Sequence, residues 1–449
     1  MSAPGPQPSG ESIPATLWRP GAMRFWLAVL LTGVGTGLGA AALTRLLELT
    51  QRIAWRGSAT NLLEAAQHAS VERHILVTLL GGVVVGIGYF ILKRVTSANG
   101  IETTAAIWLY AGRMPALRTL GSAVLSIFAV GLGASLGREG APKQAGSVIA
   151  NLFSDRGNLS DEQRRLLVAC GAGAGMGAAY GVPLGGAMFA LEVMRGKLAL
   201  RYVLPAVFSS LIATGVSWLA LPNAPTYIVP PYDSPASVMV WAILAGPIVG
   251  FASVGYVRMI RWADHNKPKG WHRFIAPTVV MGMVGFVSIW FPQILGNGKD
   301  ISQLLFTNQV APLLLLALLA LKPAATAFCI RGGIPGGLFT PSLTAGALLG
   351  AFLGHAWGWI WPGVSPGLFA LLGAGAVVAA TTQGPVSAVV LMMELTARDR
   401  SFMLPLLIIV ALATLIARSI EPRSIYDARL TDEEVAQRQK LREETARSV

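Results

Sequence analysis

The sequence predicts an all-α integral membrane protein, a polytopic helical bundle with an inverted internal repeat and broken, re-entrant helices. Composition gives the first reason: 53% of the 449 residues are hydrophobic and 13% are charged, whereas about a quarter of a soluble protein is charged. Long uncharged runs give the second reason, and similar segments in the two halves give the third. A soluble enzyme is therefore disfavoured.

The charge balance agrees with a membrane location. Lys and Arg number 35 and Asp and Glu number 22, so the net charge is +13. Such an excess is typical of cytoplasmic loops that face anionic lipid, and we expect no nucleic-acid partner. Only two cysteines occur, Cys170 and Cys329, which excludes a disulfide scaffold and a cysteine-rich metal site. We expect no metal and no cofactor.

Ten uncharged runs follow one another, and a helix needs about 20 apolar residues to span a bilayer. They lie at 25–44, 75–92, 119–137, 166–191, 202–232, 234–257, 274–298, 301–321, 332–393 and 402–417. Glycine and proline interrupt them at 181–183, 334–337 and 384–385. Irregular backbone is tolerated at membrane depth only where protein or a wet cavity surrounds it, and broken helices are typical of ion sites in transporters.

Basic residues flank the membrane-embedded part of the chain. The chain divides into a flexible cytoplasmic tail at 1–18, a membrane domain at 19–426 and a short cytoplasmic tail at 427–449. Arg19, Arg24, Arg418 and Arg423 lie at the two ends of the domain, which predicts that both termini are cytoplasmic. No small-residue cleavage signature follows the first run, so the first helix is predicted to be uncleaved.

Two segments of the chain look alike. The landmarks of the first are Gly-Ala-Gly at 171–173, Pro183 and Glu192, and those of the second are Gly-Ala-Gly at 373–375, Pro385 and Glu394. All three are separated by the same interval, which indicates duplicated halves at about 24–219 and 236–426. Transporters often carry such halves inverted, with the ion site at their interface. The matched segments 137–142 and 336–341 are therefore the predicted site.

The site segments open predicted helices. Gly137-Arg138-Glu139-Gly140 precedes a helix that runs to about 153, and Gly337-Leu338-Phe339 precedes another. Free N–H groups and the helix dipole at two such N-termini would bind an anion without a full positive charge. Glu139 would occupy the anion's position and act as a gate. Alternatively, Glu139 caps its own helix and Arg138 is a surface anchor.

Four motifs resemble the signatures of the CLC family of chloride channels and chloride–proton exchangers. They lie in order at 137–140, 181–192, 336–341 and 424–426. With Ala141 in place of proline and a short tail, the chain is most similar to the bacterial ClcB-type branch. The resemblance implies a homodimer in a bacterial inner membrane, with one pore in each subunit.

The resemblance also implies roles for individual residues. Glu139 would be the external gate, and the backbone N–H groups of Leu338 and Phe339 with the Tyr426 hydroxyl would hold the central anion. Arg138 and Gly140 belong to the same anion-binding set. From its position alone, Tyr426 is instead an interfacial tyrosine that anchors the last helix.

One departure from the family concerns the first anion motif. The family's Gly-Ser-Gly-Ile-Pro is replaced by Ala-Asn-Gly-Ile-Glu at 98–102. The Asn99 amide can donate to an anion beside Gly100, which puts the choice among chloride, bromide and nitrate in question. Glu102 replaces proline, or is a plain carboxylate at a helix start.

The other departure concerns protons. The family's exchangers carry an inner glutamate where this chain has Val193, and valine cannot relay a proton. Glu192 lies one residue earlier, on another helix face. It either lines a water path or hydrogen-bonds a helix end, as its counterpart Glu394 would in the second repeat.

Chloride transport through a pore gated by Glu139 is therefore predicted, and it is expected to be a voltage-gated channel because Val193 replaces the inner proton glutamate. The alternative is a chloride–proton antiporter that uses another proton route such as Glu192. Chloride, protons and the bilayer are the expected partners. A fluoride-selective relative is a third option that the motifs do not favour. The Gly-x-Ser-x-Gly pattern at 133–137 and His355 would also be compatible with an intramembrane serine protease. That pattern indicates a hydrolase only in a strand–turn–helix elbow, and the sequence here does not fit one. We expect no enzyme activity.

Overall fold

The computed structural model describes residues 13–14, 21–56, 61–98, 100–397 and 400–447. Within these ranges the chain forms 18 α-helices, and the only β feature there is an isolated bridge between Gly137 and Gly337. The predicted all-α fold is confirmed. Apart from residues 13–14, the tail at 1–18 lies outside the described residues, and so does Asn99.

The helices fall into two series of similar order. The first series is α1 Ala22–Trp55, α2 Leu62–Gln67, α3 Val71–Val95, α4 Thr103–Leu109, α5 Ala116–Gly131, α6 Gly140–Arg156, α7 Asp161–Tyr180, α8 Pro183–Met188 with the π-helical turn Phe189–Arg195, and α9 Leu200–Ser217. The second is α10 Ala236–His265, α11 His272–Ser288, α12 Lys299–Phe306, α13 Pro312–Arg331, α14 Phe339–Ile360, α15 Pro366–Thr382, α16 Pro385–Thr396 and α17 Met403–Ile420. The last helix is α18, Asp432–Arg447.

In the described part of the chain, seven helices are long and apolar enough to cross a membrane, namely α1, α3, α9, α10, α13, α14 and α17. The shorter apolar helices α5, α11, α15 and α16 lie between them in the chain. The uncharged run 332–393 contains α14, α15 and most of α16, so it contributes to three helices.

The predicted glycine and proline interruptions coincide with places where one helix ends and the next begins. After α7, Gly181 adopts left-handed backbone with φ 70°, and Pro183 is the first residue of α8. After α15, Gln383 is left-handed with φ 60°, and Pro385 is the first residue of α16. Proline suits that position because its missing N–H has no partner to lose there. The two repeats therefore break in the same way.

Glycine pairs bring neighbouring helices into backbone contact in both repeats. A Cβ atom on Gly171 of α7 would meet the carbonyl oxygen of Gly146 in α6, and one on Gly373 of α15 would meet that of Gly346 in α14. Small residues allow membrane helices to approach this closely. The close packing of α7 on α6 and of α15 on α14 positions the first turns of α6 and α14, where the candidate site lies.

Gly373→Leu is expected to destabilise the protein, because its side chain would force α14 and α15 apart. Overpacking of this kind costs about 1–3 kcal/mol, and thermal unfolding of the purified protein in detergent measures it. Gly255→Leu on α10 is the matched control, since a Cβ atom there meets nothing within 4 Å. Equal unfolding temperatures for the two variants would contradict the close contact.

Candidate functional site

Two helix N-termini from the two repeats meet at a short antiparallel bridge. The Gly137 N–H donates to the Gly337 carbonyl at 2.8 Å, and the Gly337 N–H donates to the Gly137 carbonyl at 2.7 Å. A side chain on Gly140, the first residue of α6, would collide with the backbone of Gly337. Glycine therefore allows the two N-termini to come together. The structure brings the segments 137–142 and 336–341 into contact.

The Glu139 side chain lies across this junction. It is 4% exposed, and its Oε1 accepts hydrogen bonds from the N–H groups of Phe339 at 2.7 Å and Thr340 at 3.3 Å. It makes no capping hydrogen bond to its own helix, so the alternative of a self-capping glutamate is wrong. A helix N-terminus favours negative charge, and the carboxylate occupies the position that suits an anion at α14.

Two hydroxyl groups that were not predicted hold the other carboxylate oxygen. Glu139 Oε2 accepts from the Thr340 hydroxyl at 3.0 Å and from the Tyr180 hydroxyl at 3.1 Å. The two hydroxyls also lie 2.7 Å apart, so the three side chains form a closed triangle. Tyr180 directly precedes the break at 181–183, and Thr340 lies inside the motif at 336–341. These positions next to predicted site segments are the sequence features that could have identified the two residues.

Arg138 lies on the far side of Tyr180. Its guanidinium is 4.9 Å from the centre of the Tyr180 ring, and Nη2 donates to the Ala179 carbonyl at 3.4 Å. The Arg138 side chain therefore packs on the tyrosine that holds Glu139. Leu338, the N-cap residue of α14, is 1% exposed and lies beside Phe339.

Tyr426 is buried in the protein. It is 4% exposed, its ring packs edge-on against Phe189 with centroids 5.8 Å apart, and Lys143 Nζ lies 4.5 Å from its ring centre. A tyrosine that anchors a helix at the membrane surface does not fit this burial. Lys143 was not among the residues predicted for the site.

Glu102 takes part in an ion-pair network and is not a plain helix-start carboxylate. It is the N-cap residue of α4 but makes no capping hydrogen bond. Its carboxylate lies 2.9 Å from Arg429, which also contacts Asp264 at 3.1 Å. Burial by itself lowers the pKa of Arg429, but the two carboxylates outweigh it and hold that pKa above its ordinary value. Gly100 and Glu102 line a cavity of about 390 Å³ beside this network.

Glu192 and Glu394 bind helix ends of the opposite repeat. Glu192 Oε2 accepts from the Ser387 N–H at 2.6 Å and the Ser387 hydroxyl at 2.7 Å, in the first turn of α16. Glu394 accepts from the Leu184 N–H at 3.0 Å and the Gly185 N–H at 2.6 Å, in the first turn of α8. Val193, beside Glu192, is 5% exposed.

The family model described as "Voltage gated chloride channel" matches residues 81–418. The chain belongs to this family, the CLC family. The predicted family and fold are thereby confirmed, whereas the ClcB-type branch stays a prediction.

Three known proteins place this CLC chain among its relatives. It is 30% identical to the H(+)/Cl(−) exchange transporter ClcA of Vibrio parahaemolyticus over 309 residues, which cover 66% of each protein. It is 30% identical to chloride channel protein CLC-f of Arabidopsis thaliana over 418 residues, 85% of this chain and 52% of that one. The chain thus spans less than two thirds of these relatives. A slow cyanobacterial Cl−/H+ antiporter shares the fold, with TM-score 0.79, 21% identity, and coverage of 94% of this chain and 98% of that one.

Gly337→Ala is expected to displace the Glu139 carboxylate, because a Cβ atom at position 337 would meet Oε1. Losing hydrogen bonds to a charged group costs about 1.5–3 kcal/mol, so the variant should also unfold at a lower temperature. Cryo-electron microscopy of the variant would show the side chain away from the Phe339 N–H. Gly358→Ala, near the far end of α14, is the control, since a Cβ atom there meets nothing within 4 Å. An unmoved carboxylate in Gly337→Ala would refute the expected clash.

Proposed function

We propose that this CLC protein moves chloride across a membrane along a path gated by Glu139. The observation that carries the proposal is the Glu139 carboxylate on the Phe339 and Thr340 N–H groups. A chloride ion would compete for these same donors, because both species are anions at a helix N-terminus. Protonation removes the charge of the carboxylate and weakens its hold on the N–H groups, which frees them for chloride.

We propose further that transport is channel-like. Val193 stands where the family's exchangers carry the inner proton glutamate, and an apolar side chain cannot titrate. The Glu192 carboxylate is engaged by the backbone and hydroxyl of Ser387 and by the Val386 N–H at 3.2 Å. Protonating Glu192 would weaken those hydrogen bonds, because they are strongest to the charged carboxylate, and this supports a structural role over a proton relay.

Chloride–proton antiport is the second candidate. It is favoured by the names of the relatives, since ClcA is an H(+)/Cl(−) exchange transporter and the cyanobacterial structure is a Cl−/H+ antiporter. An antiporter would need a proton route that bypasses Val193, and Glu192 is the nearest carboxylate in the chain.

The setting of this activity is also part of the proposal. By analogy with the family, the protein would act as a homodimer in a bacterial inner membrane, with both termini cytoplasmic and with voltage-dependent conduction. The chloride ion would be substrate, and no cofactor and no enzymatic step would be required.

Glu139→Gln is expected to raise chloride flux at neutral pH and to remove most of its pH dependence. The neutral amide mimics a protonated gate and no longer competes as an anion. Chloride efflux from proteoliposomes should vary by less than about twofold between pH 5 and pH 8, while wild-type flux rises on acidification. The exposed Glu72→Gln on α3 is the control. A wild-type pH profile in Glu139→Gln would leave Glu139 as a structural residue only.

A steep chloride gradient is expected to drive no uphill proton movement through the wild-type protein in liposomes. The physical reason is that Val193 has no titratable group and that its apolar side chain supplies no polar partner for a water chain. A pH-sensitive dye inside the vesicles measures the proton movement, with Val193→Glu as the comparison in which weak coupling is expected. Uphill pumping by the wild type would overturn the channel proposal, and its loss in Glu192→Gln would identify Glu192 as the relay.

A further inference from the structure

A buried lysine lies beside the candidate anion path. Lys143 is 7% exposed and belongs to the first turns of α6, four residues after Glu139. Residues four apart share a helix face, so Lys143 and Glu139 point to the same side of α6. An ammonium group at membrane depth is costly, and such groups mark ion pathways when they are retained.

The surroundings of the Lys143 ammonium contain no counter-ion in the part of the chain that the structure describes. Among the residues that the structure describes, none accepts a hydrogen bond from Nζ, and no carboxylate lies within 4 Å of it. The charged groups that act on it from further away are Glu102, Arg429 and Glu139. Glu102 is already paired with Arg429, and Glu139 is held by α14. Three ammonium donors are therefore available to a ligand.

The Tyr426 hydroxyl is also available to donate a hydrogen bond to a ligand. Its ring is fixed between Phe189, at 5.8 Å between centroids, and Lys143 Nζ, at 4.5 Å from the ring centre. Within the described part of the chain, the hydroxyl has no hydrogen-bond partner. A buried ammonium and a buried phenol, both without partners and in contact with each other, form a donor set for a small anion.

We propose that Lys143 is a direct ligand of the transported anion beside Tyr426, and that its ammonium group places a positive charge on the path. The inference rests on the proposed function and corrects the expectation of a site without a full charge. A lysine is a compact point charge with no planar geometry to match, so it binds chloride and bromide alike. The ammonium charge strengthens anion binding, so it raises the occupancy of the site. It also slows release of the anion, since fast conduction requires binding that is weak enough for the ion to leave.

The test is chloride titration calorimetry on the purified protein, followed by flux in liposomes. Lys143→Met should weaken chloride binding by about tenfold or more, because it removes a charged donor, while Lys143→Arg keeps the charge and should stay within about threefold of wild type. Lys197→Met is the matched control: its Nζ also faces a tyrosine ring, 5.9 Å from the centre of Tyr202, away from the site. It should bind chloride like the wild type.

A second measurement covers the case in which Lys143→Met does not fold. Wild-type crystals grown in bromide should show an anomalous peak within about 3.5 Å of Nζ. A missing peak, or chloride affinity in Lys143→Met equal to that of Lys197→Met, would overturn the inference. Unchanged affinity with lost proton movement would make Lys143 a proton carrier and would also overturn it. If the wild type moves no chloride at all, the proposed function itself fails.

Discussion

The hydrogen bonds between Glu139 and the first N–H groups of α14 are the interaction on which the site depends. A broken helix leaves N–H groups without partners, and each one costs several kcal/mol when it lies in a bilayer without water. The bridge between Gly137 and Gly337 satisfies two peptide groups, and the Glu139 carboxylate satisfies those of Phe339 and Thr340. Whatever replaces the carboxylate must also accept hydrogen bonds. The site therefore favours the replacement of one anion by another over an empty state.

The features that are determined by residues close together in the sequence could be predicted. Pro183 and Pro385 mark where helices begin, and the equal spacing of the landmarks in the sequence is enough to indicate the repeat. Glu139 could be singled out because glycines on both sides place it at a helix N-terminus. Each of these signals lies within a few consecutive residues, where backbone conformation is decided by φ preferences and missing N–H groups.

The features that depend on folding distant segments together could not be predicted. Tyr180 carries no motif of its own, and its hydroxyl reaches Glu139 only because α7 packs closely on α6. The partner of Glu102 is Arg429, at the other end of the chain. Lys143 resembles any lysine that follows a helix start, and only its burial beside Tyr426 distinguishes it. Long-range pairs of this kind leave no periodic trace in one sequence.

The reciprocal contacts of Glu192 and Glu394, each with a helix of the opposite repeat, have a consequence for how such a chain arises. Glu192 reaches the first turn of α16, and its counterpart reaches the first turn of α8. Contacts in which each half offers the same group to the same surface of the other are isologous, as in a two-fold dimer. If a single ancestral half were inserted into the membrane in both orientations, two copies would meet through this glutamate-to-helix contact. Gene fusion would then preserve an old dimer interface as an internal one, and neither half alone would satisfy its own helix end.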